Sequence, residues 1–171
     1  MENQNNRSES VVLVLSEQEE NTISECKTKK NNIQLLDGHE VLDILGEGGM
    51  GKVFRVRELS LNRIVAMKIM SPDLQHNKVS IHRFLREAQI CAQLQHPNII
   101  PIYRIGVLPG GRHYFTMREI KGLELTDKIK KFWDERINIG GLRQLLHAFA
   151  QVCDTIAFAH DQGVIHRDIK P

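Results

Sequence analysis

From residue 38 onward, apolar and polar positions first alternate in short runs and then switch to helical spacing. Residues 39–46 read as a strand running into a cluster of glycines, and residues 52–57 as a second strand. Residues 64–70, rich in β-branched and apolar side chains, form a third. Leu59-Ser60-Leu61-Asn62-Arg63 turns the chain between the last two, and Ser71-Pro72-Asp73 breaks the third strand. Residues 79–94 then place Ile81, Phe84, Leu85, Ala88, Cys91 and Leu94 on one helical stripe. Gln95-His96-Pro97-Asn98 ends that helix. Residues 99–108 and 113–119 read as two strands joined by the turn Pro109-Gly110-Gly111. A short helix near 124–133 precedes a long amphipathic one over 142–160, which carries Leu142, Leu145, Leu146, Phe149, Cys153 and Ile156 on one face and stops at Gly163. The order is β-β-β-α-β-β-α-α. It implies an α+β fold: a five-stranded antiparallel sheet with one packed helix, followed by the first helices of a helical region.

Residues 1–37 differ in composition. They hold four basic and seven acidic residues and no aromatic, which predicts a mostly disordered leader with at most a short local strand or helix. The whole chain of 171 residues carries a net charge of only +2, too little to imply a nucleic-acid or membrane surface. Its longest early apolar run, Val11-Val12-Leu13-Val14-Leu15, is far short of the ~20 residues a membrane span needs. Cys26, Cys91 and Cys153 are odd in number and widely spaced, which suggests reduced thiols in a cytoplasmic protein and neither a disulfide framework nor a zinc site.

The candidate chemistry begins at Gly46-Glu47-Gly48-Gly49-Met50-Gly51-Lys52-Val53, a G-x-G-x-x-G-x-V string. Glycines let backbone amides approach phosphate oxygens without a Cβ in the way. Three phosphate-binding folds use such strings. A dinucleotide fingerprint or a P-loop requires a helix directly after the loop, and the P-loop also requires a hydroxyl where Val53 stands. Here a strand follows, which fits the third reading, a glycine hairpin lying as a lid over a nucleotide.

Val65-Ala66-Met67-Lys68 places a lysine on an apolar strand, 17 residues after Gly51. Glu87 lies three residues after Phe84 and four before Cys91, within the buried stripe of its helix. A carboxylate in that position is costly unless paired, and Lys68 is its natural partner. The chain then closes on His166-Arg167-Asp168-Ile169-Lys170-Pro171.

With these three ordered motifs the sequence resembles the protein kinase superfamily, specifically the bacterial (Hanks-type) serine/threonine kinases, over about residues 39–171. The run Arg83-Phe84-Leu85-Arg86-Glu87-Ala88 suits that branch. The resemblance implies an N-lobe over about 38–117, a hinge over 118–123 and the start of a C-lobe over 124–171. It implies ATP and Mg²⁺ as cofactors and protein serines and threonines as substrates. Lys68 and Glu87 are then the phosphate-binding pair, Asp168 the catalytic base and Lys170 the group that steadies the γ-phosphate. Arg167 is expected to contact a phosphorylated activation loop, and His166 to pack structurally.

The nucleotide-binding residues implied are Leu45, Gly46, Glu47, Gly48, Gly49, Met50, Gly51, Val53, Ala66 and Lys68 above the base and phosphates. Met117 is implied as the gatekeeper, Glu119 and Ile120 as hinge contacts, Glu124 as the ribose contact, and Leu125 as an apolar face below adenine. The metal-binding Asn and D-F-G of the family have no counterpart up to Pro171. The expectation is therefore a polypeptide with little phosphotransfer activity alone, an exposed apolar face on its long helix and a tendency to aggregate. The alternative is a non-catalytic nucleotide-binding or docking module derived from a kinase.

Overall fold

The computed structural model describes residues 35–134 and 139–170. The five expected strands form in order: β2 (His39–Gly48), β3 (Gly51–Glu58), β4 (Arg63–Met70), β5 (Ile102–Val107) and β6 (His113–Met117). Ahead of them a two-residue strand, β1 (Leu35–Leu36), pairs antiparallel with β2 through Leu35↔Glu40 and Leu36↔His39. Leu35 and Leu36 fall within the expected leader, as the short local strand that reading allows. Residues 1–34 of that leader lie outside the described residues. The sheet order is β1-β2-β3-β4-β6-β5, with every printed pairing antiparallel.

Strand β4 is central, and its residues from Val65 to Met70 are all buried. A strand covered on both faces loses alternation, which is why it reads as a continuous apolar run interrupted only by Lys68. Val65, Met67 and Ile69 face one cluster with Val56, Leu108 and Tyr114. On the other face Met70 joins Phe84, Ala88 and Phe115.

That second cluster is closed by α1 (Lys78–Gln93), whose Phe84, Ala88 and Cys91 are buried as the spacing required. Asn77 caps it by accepting from the amides of Val79 and Ser80. A single 3₁₀ turn (Pro72–Leu74) links β4 to it. β5 starts three residues later than expected. Ile99 and Ile100 are buried but precede the strand, after a turn through Pro97 and Asn98 that the Ile99 amide closes on the His96 carbonyl.

Two helices follow, α2 (Leu125–Asp134) and α3 (Ile139–Asp161). Gly163, at φ 74°, ends α3: its amide bonds the His160 carbonyl, the Val164 amide bonds that of Ala159, and Val164 packs on Ala159. The expected inward stripe of α3 is mostly outward. Leu142, Leu146 and Phe149 are 45%, 59% and 63% exposed, whereas Thr155 and Ala159 are the buried residues. The later turns of α3 pack on the loop after α1, where Ala159 meets Leu94 and Ile99, and α3 also contacts α2. Periodicity reports which face is apolar, not whether a partner covers it.

Candidate functional site

The glycine string forms the end of β2, a tight turn and the start of β3. Gly46 pairs with Val53, Glu47 with Lys52, and Gly48 with Gly51, leaving Gly49 and Met50 as the turn. Glu47 and Lys52 also form an ion pair at 3.1 Å between exposed side chains. Gly51 cannot be replaced: at φ 155° its added Cβ would sit 2.0 Å from the Ile69 carbonyl oxygen. Met50 is tied down rather than free. Its side chain packs against the cluster of Met70, Phe84, Ala88 and Phe115, and its carbonyl accepts the Ser71 amide at 2.9 Å.

Beneath the turn, the strand register brings the expected residues together. Val53 lies opposite Lys68, and Ala66 opposite Met117. Ala66 and Lys68 point to the same face of β4 as Met70, because side chains two apart share a face. Lys68 is 8% exposed, and its Nζ lies 3.1 Å from Glu87 Oε1 and 5.7–5.9 Å from the centroids of Phe115 and Phe84. The aromatic floor and the carboxylate together hold the ammonium in place. Cys91 sits one turn further along α1, and burial, helped by the Glu87 charge, pushes its thiol up to about 11.

Met117 packs on the α1 cluster at the end of β6. Its successors are placed less uniformly. The Glu119 side chain, 10% exposed, is taken by Arg55 at 2.9 Å, while Ile120 is exposed. Leu45 is 46% exposed. Glu124 is exposed, and its carbonyl receives the amides of Asp127 and Lys128, so it begins α2; Leu125 is partly buried. Sequence reasoning missed Arg55, which holds the Glu119 side chain; a lone cation on a strand carries no signal of that distant partner.

The last described residues form a tight loop. Arg167 adopts φ 64°, an uncommon left-handed conformation for a residue with a side chain. The Asp168 amide donates to His166 Nδ1 at 3.3 Å, and Asp168 Oδ2 lies 3.0 Å from Lys170 Nζ. His166 lines a small cavity of about 150 Å³ whose other walls include Glu87, Cys91, Leu94 and Thr155. That cavity joins α1, α3 and the loop, so His166 does face the interior. Pro171 lies outside the described residues.

An antiparallel sheet, a helix delivering a glutamate to a strand lysine, and a glycine hairpin between two of the strands define the small lobe of a protein kinase fold. The chain belongs to the protein kinase family, in its bacterial serine/threonine branch: the protein kinase domain matches residues 39–171. It is 36% identical over 139 residues to serine/threonine-protein kinase PknD of Chlamydia trachomatis, spanning 78% of this chain and 15% of that protein. It is also 36% identical over 133 residues to serine/threonine-protein kinase pkn3 of Myxococcus xanthus, spanning 78% of this chain and 23% of that one. The kinase domain of Mycobacterium tuberculosis PknI superposes with a TM-score of 0.63 at 25% identity, covering 84% of this chain and 56% of that structure. The chain thus spans well under two thirds of each of these relatives.

Proposed function

We propose that residues 39–171 are the ATP-binding part of an enzyme that transfers the γ-phosphate of ATP to serine and threonine hydroxyls of proteins. The observation that carries this reading is the buried Lys68–Glu87 pair beneath the glycine hairpin. An ammonium held by a carboxylate and two ring faces is preorganised for the α- and β-phosphates, since it need not be ordered when nucleotide arrives. Gly46, Glu47, Gly48, Gly49, Met50 and Gly51 offer backbone amides to the phosphates. Leu45, Val53, Ala66 and Leu125 cover the two faces of the base, and Met117 stands behind it. Glu119 and Ile120 present backbone groups to its edge, and Glu124 meets the ribose.

Asp168 accepts the proton of the attacking hydroxyl, and Lys170, its ion-pair partner, moves to the γ-phosphate as charge develops there. Arg167 is held for a phosphorylated segment. The family's Mg²⁺ is a separate matter. Among the described residues no group of three His, Cys, Asp or Glu side chains is arranged to hold a metal ion, so no step is assigned to it.

Residues 1–171 by themselves therefore bind nucleotide but turn over little or none. Titrating a fluorescent ATP analogue into the 171-residue chain tests the first half, with saturable binding that weakens about tenfold or more in Lys68→Met. Equal binding by both proteins overturns the assignment. Radiolabelled ATP with a mixed protein substrate tests the second, and robust transfer overturns it. A second reading, a docking module that works by contact alone, draws on the bare apolar face of α3. It predicts that Lys68→Met leaves partner binding unchanged. Among the described residues no helix is long and apolar enough to cross a membrane.

A further inference from the structure

The glycine turn carries a single apolar side chain. Of the six residues from Gly46 to Gly51, four are glycines and Glu47 is an exposed partner of Lys52. The sixth is Met50, whose side chain packs against the cluster of Met70, Phe84, Ala88 and Phe115. Its carbonyl takes the Ser71 amide at 2.9 Å. Past the strand pairing of Gly51 with Met70, Met50 thus ties the turn to the end of β4 twice, by its side chain and by its backbone.

Four methionines fall among the described residues, and they differ in access to solvent. Met67 and Met70 lie in the sheet at 0% exposure. Met50 and Met117 are partly exposed, and of the four Met50 alone sits in a turn, next to Gly49, which is exposed and has no side chain to shield it. The thioether is well suited to an apolar contact with rings. A sulfoxide is not, because its oxygen is a strong acceptor and the side chains of Met70, Phe84, Ala88 and Phe115 hold no N–H or O–H. The Lys68 ammonium beside those rings is held by Glu87 at 3.1 Å.

We propose that Met50 is a site of reversible oxidation by hydrogen peroxide, and that its sulfoxide releases the glycine turn from the end of β4. The thioether sulfur attacks one peroxide oxygen, the O–O bond breaks and an S–O bond forms. The departing hydroxide collects the proton of the transferred oxygen and leaves as water. Sulfur loses two electrons and the peroxide gains them. The new oxygen is then better solvated outside the cluster, and the side chain that leaves carries the turn with it. The modification stands whether or not the turn covers a nucleotide.

The test exposes the full 171-residue chain to a limited dose of hydrogen peroxide. Peptide mass spectrometry should find Met50 oxidised about tenfold faster or more than Met67 and Met70. Amide hydrogen exchange at Ser71 then reads the turn, since that N–H is the one donated to the Met50 carbonyl. Its protection should fall about tenfold or more in the oxidised chain, while the middle of β4 keeps its own. Met50→Leu, which retains Met117 and the cysteines, shows no fall under the same treatment. Met50→Gln, which places a polar oxygen there without any oxidant, shows the low protection from the start. The two epimer-specific methionine sulfoxide reductases, supplied with dithiothreitol, restore the oxidised wild-type chain. Five results overturn the proposal. Met50 reacts no faster than Met67 and Met70. Ser71 keeps its protection in the oxidised chain, the Lys68 ammonium having taken the new oxygen, or in Met50→Gln. Met50→Leu loses protection on treatment as the wild type does. The loss runs through all of β4. Protection stays lost after the sulfoxide is reduced.

Discussion

Asn98 donates from Nδ2 to the hydroxyl of Thr155 at 3.2 Å, joining the loop after α1 to the middle of α3 across 57 residues of sequence. The Thr155 hydroxyl in turn donates to the Gln151 carbonyl at 2.6 Å. Both side chains are buried, and they sit beside the Leu94, Ile99 and Ala159 cluster. The two substitutions that break this link should differ in cost. Asn98→Ala removes one bond and leaves the hydroxyl satisfied by Gln151, costing about 1 kcal/mol. Thr155→Val leaves a buried amide without an acceptor and costs about 2 kcal/mol or more. Urea unfolding of the two variants measures the difference, and equal costs would contradict the asymmetry.

Glu87→Gln keeps the shape of the Lys68 contact and removes its charge. The ammonium then loses its counter-ion in a buried setting, which frees it to turn to other partners. The expected outcome is a roughly three- to tenfold weaker affinity for ATP analogues and little change in far-UV circular dichroism. Glu87→Ala should be worse, because it also opens space beside Cys91.

Tyr114 is fully buried and donates its hydroxyl to Asp37, which also meets Arg104 at 3.3 Å. Burial first, and then the hydrogen bond to Asp37, pushes the phenol up to about 12. An unfolded tyrosine titrates near 10. The neutral hydroxyl therefore contributes stability that is intact below pH 10 and is lost as pH rises from about 10 to 12. Tyr114→Phe should cost about 1–2 kcal/mol at pH 8 and flatten this alkaline decline, as read by urea unfolding at a series of pH values.

Leu146 and Phe149 lie open on α3. Replacing both with glutamate should leave the fold unchanged, because neither is buried, and should lower self-association of the 171-residue chain. Sedimentation velocity across a concentration series reads the effect. Loss of secondary structure in the double variant would show that the face is packed after all.

Cys91 and Cys153 offer a chemical contrast within the described residues. Cys91 is buried with its thiol pushed up to about 11, whereas Cys153 is exposed. Iodoacetamide at pH 8 should modify Cys153 about a hundredfold faster or more, with Cys91 reacting only on unfolding. Mass spectrometry of timed samples separates the two rates.

Much of this arrangement is legible in the sequence because it is local. The β4 apolar run, the α1 stripe and the glycine string each announce themselves within a short window. Lys68 and Glu87 were brought together by a different argument, the cost of burying one charge alone. What stayed hidden depends on distant partners. Nothing near Asp37 says that Tyr114 will reach it. That contact needs Gly106, where an added Cβ would lie 2.6 Å from the tyrosine ring. Likewise Arg55 reads as one more exposed strand cation until the fold sets Glu119 beside it. The α3 stripe was recognised correctly as apolar, but its covering is a property of whatever packs there and leaves no mark on the helix itself.

Met50 gives the hairpin an unusual mechanical footing. The grease that seats its tip is the same layer on which Phe84 and Ala88 rest, so the tip cannot be pried loose without unsettling the helix that presents the glutamate. Lifting the turn would disturb the same packed layer whose rings lie beside the Lys68 ammonium.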